Sequence, residues 1–261
     1  MSDVYTFREG ATPLLISVPH DGWQIPTDIL QYMTGIGRGI PDTDWHVSRL
    51  YEFADDLGAG MIVANFSRYV VDLNRPADDG APYAGQLSTG VCPARTFAGH
   101  EIYDEQAPID CGARIERYWR PYHDQLESAL AAIKERFGYA LLWDAHSIAS
   151  RVPQLFDDEL PVLNLGTFDR QSCAGRLEHA VMAAARDSPY DAVLNARFKG
   201  GYITRHYGCP AANVHAIQLE LAQRAYMDER TLQYDEQKAL RLKQTLAVLL
   251  AAFLGAAREQ M

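Results

Sequence analysis

Short apolar runs alternate along this chain with longer stretches of helical period. The segment TPLLISVPH reads as a buried strand that stops at Pro19-His20. In PDTDWHVSRLYEFADDLGAG, Val47, Leu50, Tyr51, Ala54 and Leu57 recur at three- and four-residue spacing, which predicts a helix. Asp42 or Thr43 can cap its start and Gly58 can end it. MIVANF and RYVVDLN are β-branched and predict two strands. A helix near 113–137 would bury Ile115, Tyr118, Trp119, Tyr122, Leu126, Leu130 and Ile133, with Pro121 expected to kink or divide it. ALLWDAH and PVLNLGT follow as strands, 172–187 as a short alanine-rich helix, NVHAIQLELA as a late strand and 235–258 as a long closing helix.

Strands alternating with helices predict one α/β domain over 1–261 with a largely parallel or mixed sheet. Ligands in such sheets sit at the carboxyl ends of strands. His20, Asn74, Arg75 and His146 all fall at predicted strand ends. The connection from Arg75 to about Gly112 has no sustained period, and a connection of that length usually covers a functional site.

Composition narrows the partners. The net charge is −10, from 34 acidic and 24 basic residues. Nucleic acid and anionic membranes, which reward clustered Lys and Arg, are therefore disfavoured. An anionic small molecule would need a local group of cations, because the global field does not attract it. No apolar run reaches the roughly 20 residues of a membrane span, and MSDVYTFREG lacks the basic and apolar regions of a signal peptide. Cys92, Cys111, Cys173 and Cys209 give neither a zinc-ribbon pattern nor a disulfide framework, so a reduced cytoplasm is the expected setting. Oligomeric state is not legible.

The chemistry-bearing residues each admit a plain structural role. His20 and His146 could be ordinary polar groups at strand ends. Two such histidines, each beside a carboxylate (Asp21, Asp144), also suit a catalytic zinc, which takes three protein ligands and keeps one position open. The neighbouring carboxylate would orient the ring. Helix capping explains Asp42 well and Asp44 less well. Arg75 could pair with Asp72 or Asp78, or join Asn74 in gripping a carboxylate with its planar fork. In KGGYITRHYG, Tyr202, Thr204 and Arg205 follow two glycines, which predicts a site-facing hairpin or lid. Strand alternation groups Glu220 with Ala216, Gln218 and Ala222. A carboxylate buried on that face needs a metal, a water or an arginine.

With these residues in view, the chain resembles the N-formylglutamate amidohydrolase (N-formylglutamate deformylase) family of histidine degradation. The likeness runs in order through SVPHDG, DTDWHVSRLY, SRYVVDLNRP, LLWDAHSI, FKGGYITRHYG and HAIQLELAQRAYMDE. The resemblance implies a three-layer α/β/α sandwich similar to zinc carboxypeptidases and release of formate from N-formyl-L-glutamate. It further implies one Zn2+ per chain, with another divalent ion compatible, held by His20 and His146. Glu220 would be the base, and Asn74-Arg75 would hold the α-carboxylate. The H-x-x-E of carboxypeptidases is absent, because Trp23 stands at the Glu position. Asp44 is the expected third ligand, with Asp21 and Asp42 as rivals. Arg68 is assigned to the tetrahedral oxyanion and Arg205 to the second carboxylate, with Tyr202 and Thr204 beside it. Two other readings stay open. DAHS resembles the D-A-H-x-D of dinuclear ureohydrolases acting on formiminoglutamate, but Ile148 replaces the second Asp. A non-catalytic carboxylate-binding protein could keep the same pocket.

Overall fold

The computed structural model describes residues 3–79 and 89–259. Seven strands form one mixed sheet: β1 (Tyr5–Arg8), β2 (Leu14–Val18), β3 (Gly60–Ala64), β4 (Ala140–Ile148), β5 (Leu163–Gly166), β6 (Ala192–Leu194) and β7 (Val214–Ala222). Their order across the sheet is β1-β3-β2-β4-β7-β5-β6. The central run β3, β2, β4 and β7 is parallel. β1 pairs antiparallel with β3, and β5 antiparallel with β7.

Strand alternation builds two cores. On one face, Leu141, Trp143 and Ala145 of β4 and Ile217 and Leu219 of β7 pack against the helices Gly175–Arg186 and Glu236–Arg258. On the other, Leu15, Ala140, Leu142 and Ala216 lie beneath Tyr122, Leu126 and Leu130 of the helix Arg120–Phe137. The result is a three-layer α/β/α sandwich. Along the second face the character changes toward the carboxyl ends of the strands. Ser17 succeeds Leu15, Asp144 and His146 succeed Leu142, and Gln218 and Glu220 succeed Ala216, all of them buried. A polar floor therefore lies at the carboxyl edge.

Several expected elements take another form. The helix expected from residue 42 forms only at Val47–Leu50, followed by a 3-10 turn at Glu52–Asp55. His46 sits at φ 65° and interrupts any earlier helical path. Asp21 caps the short helix by accepting from the Ser48 N–H at 3.0 Å. RYVVDLN forms turns rather than a strand, because Asp72 draws the loop around itself. Its carboxylate accepts from the Asn74 N–H at 2.9 Å and from Arg68 at 2.7 Å. KGGYITRHYG is a short helix, Tyr202–Tyr207, rather than a hairpin. The division near Pro121 is a π-helical turn, Ile115–Trp119, directly before it. β1 and β6 were not legible as strands in the sequence.

Two further expectations are corrected. Cys92 and Cys111 are joined in a disulfide, because the 89–110 connection folds back on the start of its helix. Cys173 and Cys209 are free. The closing helix of 23 residues is long and apolar enough to cross a membrane by length and composition. Its Leu242, Leu246, Leu249, Leu250 and Phe253 are instead buried in the first core.

Candidate active site

β2 ends at Val18, and the next turn carries His20 over the polar floor. Its backbone carbonyl accepts from the Asp44 N–H at 3.1 Å, which ties the 41–46 loop to the strand end. β4 brings in His146, and β7 places Glu220 beside it in register. His20, Asp44, His146 and Glu220 are all less than a tenth exposed.

Each histidine has a buried carboxylate against one ring nitrogen, and His146 Nε2 also lies 3.1 Å from Asn74 Nδ2. His20 Nε2 lies 2.7 Å from Asp72 Oδ1, and His146 Nε2 lies 3.1 Å from Asp144 Oδ1. Each carboxylate fixes its ring and leaves Nδ1 aimed at Asp44. His146 Nδ1 is 3.1 Å and His20 Nδ1 3.7 Å from Asp44 Oδ2. One ligand atom from each of His20, Asp44 and His146 lies within 4.8 Å of the other two. Tetrahedral bonds of about 2.0–2.1 Å separate donors by about 3.4 Å, so the group fits a divalent ion. His20 Nδ1 is buried and has no hydrogen-bond partner among the described residues, which leaves the free ligand atom such an ion requires. The Asp72-His20 and Asp144-His146 pairs match the carboxylate-histidine support common at metal sites.

The support continues outward. Arg68 donates to Asp72 Oδ2 at 2.7 Å and lies 3.7 Å from Asp44 Oδ1. Thr204 Oγ1 donates to Asp144 Oδ2 at 2.9 Å. The Ser147 N–H donates to Asp44 Oδ2 at 3.0 Å. The orienting partner of His20 is therefore Asp72 rather than the expected Asp21. Asp21 is occupied by Ser48, and Asp42 accepts from Tyr69 and the Phe97 N–H, so neither rival of Asp44 faces the histidines.

Electrostatics follow this arrangement. Burial alone would raise Asp44, but the hydrogen bond from His146 and the charges of His20 and His146 hold it well below the usual carboxylate range. Burial likewise opposes ionisation of Asp72, and Arg68, His20 and Arg75 outweigh it. For His146, burial would lower the pKa, and Asp144 and Asp44 together hold it well above the usual imidazole value. Glu220 moves the other way. Burial pushes its carboxyl up, and among the described residues its one hydrogen bond is a long one, 3.4 Å from Gln218 Nε2.

A cleft of about 430 Å³ opens over this group. Its lining includes His20, Asp44, His146 and Glu220 on the floor and Arg68, Asn74 and Arg75 on one wall. Residues 197–201 form another part of the lining, and Thr89, Ala94, Arg95, Thr96, Phe97 and Gly99 contribute as well. Among the residues expected at the site, Arg205, Tyr202 and Thr204 do not line the cleft. Arg205 Nε donates to the Gly201 carbonyl, and its guanidinium lies over Phe168. Tyr202 stacks on His206, and Thr204 is fully buried behind Asp144. Sequence reasoning missed Arg197 and Asp72 in these positions. The only signal for Arg197 was its place just before the glycine pair.

The Asn74-Arg75 wall has its own scaffold. The Ile203 N–H donates to Asn74 Oδ1 at 2.8 Å. A Cβ at Gly201 would fall 2.2 Å from Asn74 Nδ2, so only glycine leaves room there. Trp119 Nε1 donates to the Arg75 carbonyl at 2.8 Å, and His123 Nε2 lies 2.9 Å from the Leu73 carbonyl.

Residues 12–227 match the family model of N-formylglutamate amidohydrolase. The chain is 47% identical over 267 residues to N-formylglutamate deformylase of Pseudomonas putida, covering all of both chains. It is 48% identical to N-formylglutamate deformylase of Pseudomonas aeruginosa, covering 100% of this chain and 99% of that one. The crystal structure of N-formylglutamate amidohydrolase from Ralstonia eutropha JMP134 superposes with a TM-score of 0.83 at 27% identity, covering 98% of this chain and 99% of the other.

Proposed function

The chain belongs to the N-formylglutamate amidohydrolase family, and from that premise we propose that it hydrolyses N-formyl-L-glutamate to formate and L-glutamate, as a step of histidine degradation. The observation that carries this reading is the convergence of His20 Nδ1, His146 Nδ1 and Asp44 Oδ2 beside Glu220 in an arginine-lined cleft. A divalent ion held by these three residues, with zinc the first choice for its His and carboxylate donors, would polarise the formyl oxygen and lower the pKa of water to about 7.

The chain's own residues supply the rest. Glu220 takes the proton from the attacking water and returns it to the amine of the departing glutamate. Burial favours this exchange, since the carboxyl accepts a proton more readily than an exposed glutamate would. Arg68 keeps its charge beside Asp44 and Asp72 and faces the cleft, where it can stabilise developing negative charge on the formyl oxygen. Asn74 and Arg75 hold the α-carboxylate. The one-domain reading over 1–261 is retained. A cytoplasmic setting is also retained, in which the Cys92–Cys111 pair would be held reduced, and thiol titration of protein taken from intact cells tests it.

The dinuclear ureohydrolase reading loses support, since His20, Asp44 and His146 are the one metal-type group among the described residues. Metal analysis and a formate-release assay on one purified sample test the proposal. About one equivalent of metal with formate released from N-formyl-L-glutamate is expected. A metal-loaded, folded protein that releases no formate would sink it.

A further inference from the structure

We propose that Arg197 is the specificity residue for the substrate's side-chain carboxylate, so that the cleft selects dicarboxylates by two separate arginine forks. This rests on the reaction proposed above. Four arginines line the cleft, and they differ in what they already hold. Arg68 is committed to Asp72, and Arg95 to Glu101. Lys199, also in the lining, has its Nζ 3.0 Å from Asp169 Oδ2. Arg75 and Arg197 form no ion pair among the described residues. The Nε of each is buried without a hydrogen-bond partner.

A buried guanidinium N–H without an acceptor is unfavourable, and its planar fork matches an oxyanion such as a carboxylate bidentately. Two such forks in one cleft match a ligand with two carboxylates. The chain's net charge of −10 gives no long-range attraction for a dianion, so local forks must provide it.

Arg197 also stands on a fixed support. The Phe168 N–H donates to the Lys199 carbonyl and the Gly201 N–H to Gln218 Oε1, each at 2.6 Å. A Cβ at Gly166 would meet the backbone of Lys199 and Gly200 at 2.6 Å, so the segment lies flush on the end of β5. The Asn74 side chain touches Gly201, which joins this wall to the one bearing Arg75. With both walls held in advance, little ordering remains to be done when the ligand enters. Arg75, adjoining Asn74, takes the α-carboxylate, and Arg197 the distal one.

The test is steady-state kinetics of wild type, Arg197→Gln and Arg197→Lys on N-formyl-L-glutamate and N-formyl-L-glutamine. Because Arg197 makes no ion pair among the described residues, both variants should fold and keep their metal, which melting temperature and metal content check. Arg197→Gln should lose about 10- to 150-fold in kcat/KM on N-formyl-L-glutamate, the range for a hydrogen bond to a charged group. Its activity on N-formyl-L-glutamine should change less than about threefold, well below that range. Arg197→Lys should fall between, since the charge survives and the fork does not. Equal losses on both substrates would overturn the proposal, as would no loss on either. Should wild type hydrolyse neither compound, the reaction assignment fails instead. Calorimetric binding of L-glutamate against L-glutamine then still decides Arg197, with the wild-type preference for L-glutamate expected to vanish in Arg197→Gln and its persistence counting against the role.

Discussion

His20 Nε2 lies 2.7 Å from Asp72 Oδ1, and this contact turns the free Nδ1 of the same ring toward Asp44 and His146. The two histidines thus present the same nitrogen inward, each backed by a buried carboxylate. Asp72→Asn would keep the shape and lose the charge that supports the ring. Metal affinity should fall by about 10- to 100-fold, the usual effect of removing such a support. Chelator competition measures it, and an unchanged affinity would leave Asp72 as a loop-folding residue alone.

Direct loss of a ligand should be more severe. His20→Ala and His146→Ala are expected to lose both metal and formate release, and Asp44→Asn to weaken metal binding by 10-fold or more. Metal content after dialysis gives the readout. Stoichiometric metal in either histidine variant would refute the ligand set.

Metal uptake should depend on pH through His146. In the metal-free protein Asp144 and Asp44 hold this imidazole well above its ordinary value, so at neutral pH it carries a proton that a metal must displace. Affinity should therefore rise with pH, by up to about 10-fold per unit, until pH exceeds the raised His146 value. Titrations in buffers of different ionisation enthalpy should show proton release on binding. A pH-independent affinity near neutrality would contradict this.

Glu220→Gln preserves size and removes the proton acceptor. Turnover should drop by about 10²- to 10⁴-fold while metal content and melting temperature hold, since general-base catalysis is worth that much. Near-normal turnover would make Glu220 a structural residue.

The long apolar strands were plain in the sequence because burial on both faces leaves no ambiguity in ALLWDAH or LLISV. The histidines were legible for a related reason, since each stands where an apolar run ends. What failed was reading elements whose shape depends on side chains from elsewhere. RYVVDLN has the composition of a strand, yet its Asp72 gathers Arg68 and His20 and folds the segment into turns. The helix expected from Asp42 is displaced because Asp42 and Asp44 bond to partners on other elements. Arg205 was preferred over Arg197 from local polarity alone. Which of two nearby arginines faces a cleft depends on the path of Gly200 and Gly201, and that path is set by Gly166 and Asn74, distant in the chain.

Trp119 and His123 bracket Asn74 from behind, binding the carbonyls of Arg75 and Leu73. The rings stack 3.7 Å apart at the end of the π-helical turn, a feature that often accompanies functional sites. Burial pushes His123 down to about 3, so it is neutral near pH 7. Its Nε2–H donates to Leu73, and Nδ1 accepts from the Tyr207 hydroxyl at 2.8 Å. Trp119→Phe keeps an aromatic ring beside His123 and removes the N–H together with part of the indole, so melting temperature is followed alongside the kinetics. If the pair positions the carboxylate grip, KM for N-formyl-L-glutamate should rise about 3- to 10-fold, the worth of one neutral hydrogen bond, with kcat little changed. A loss confined to kcat would place its effect on the chemistry instead. His123 adds a stability signature. Its folded value lies below the unfolded one near 6.5, so the unfolded chain binds the extra proton between about 3 and 6.5 and stability falls as pH drops through that window. His123→Gln should flatten that acid-side slope by about one proton in denaturant titrations across the window, and an unaltered slope would show that His123 is not buried as a neutral ring.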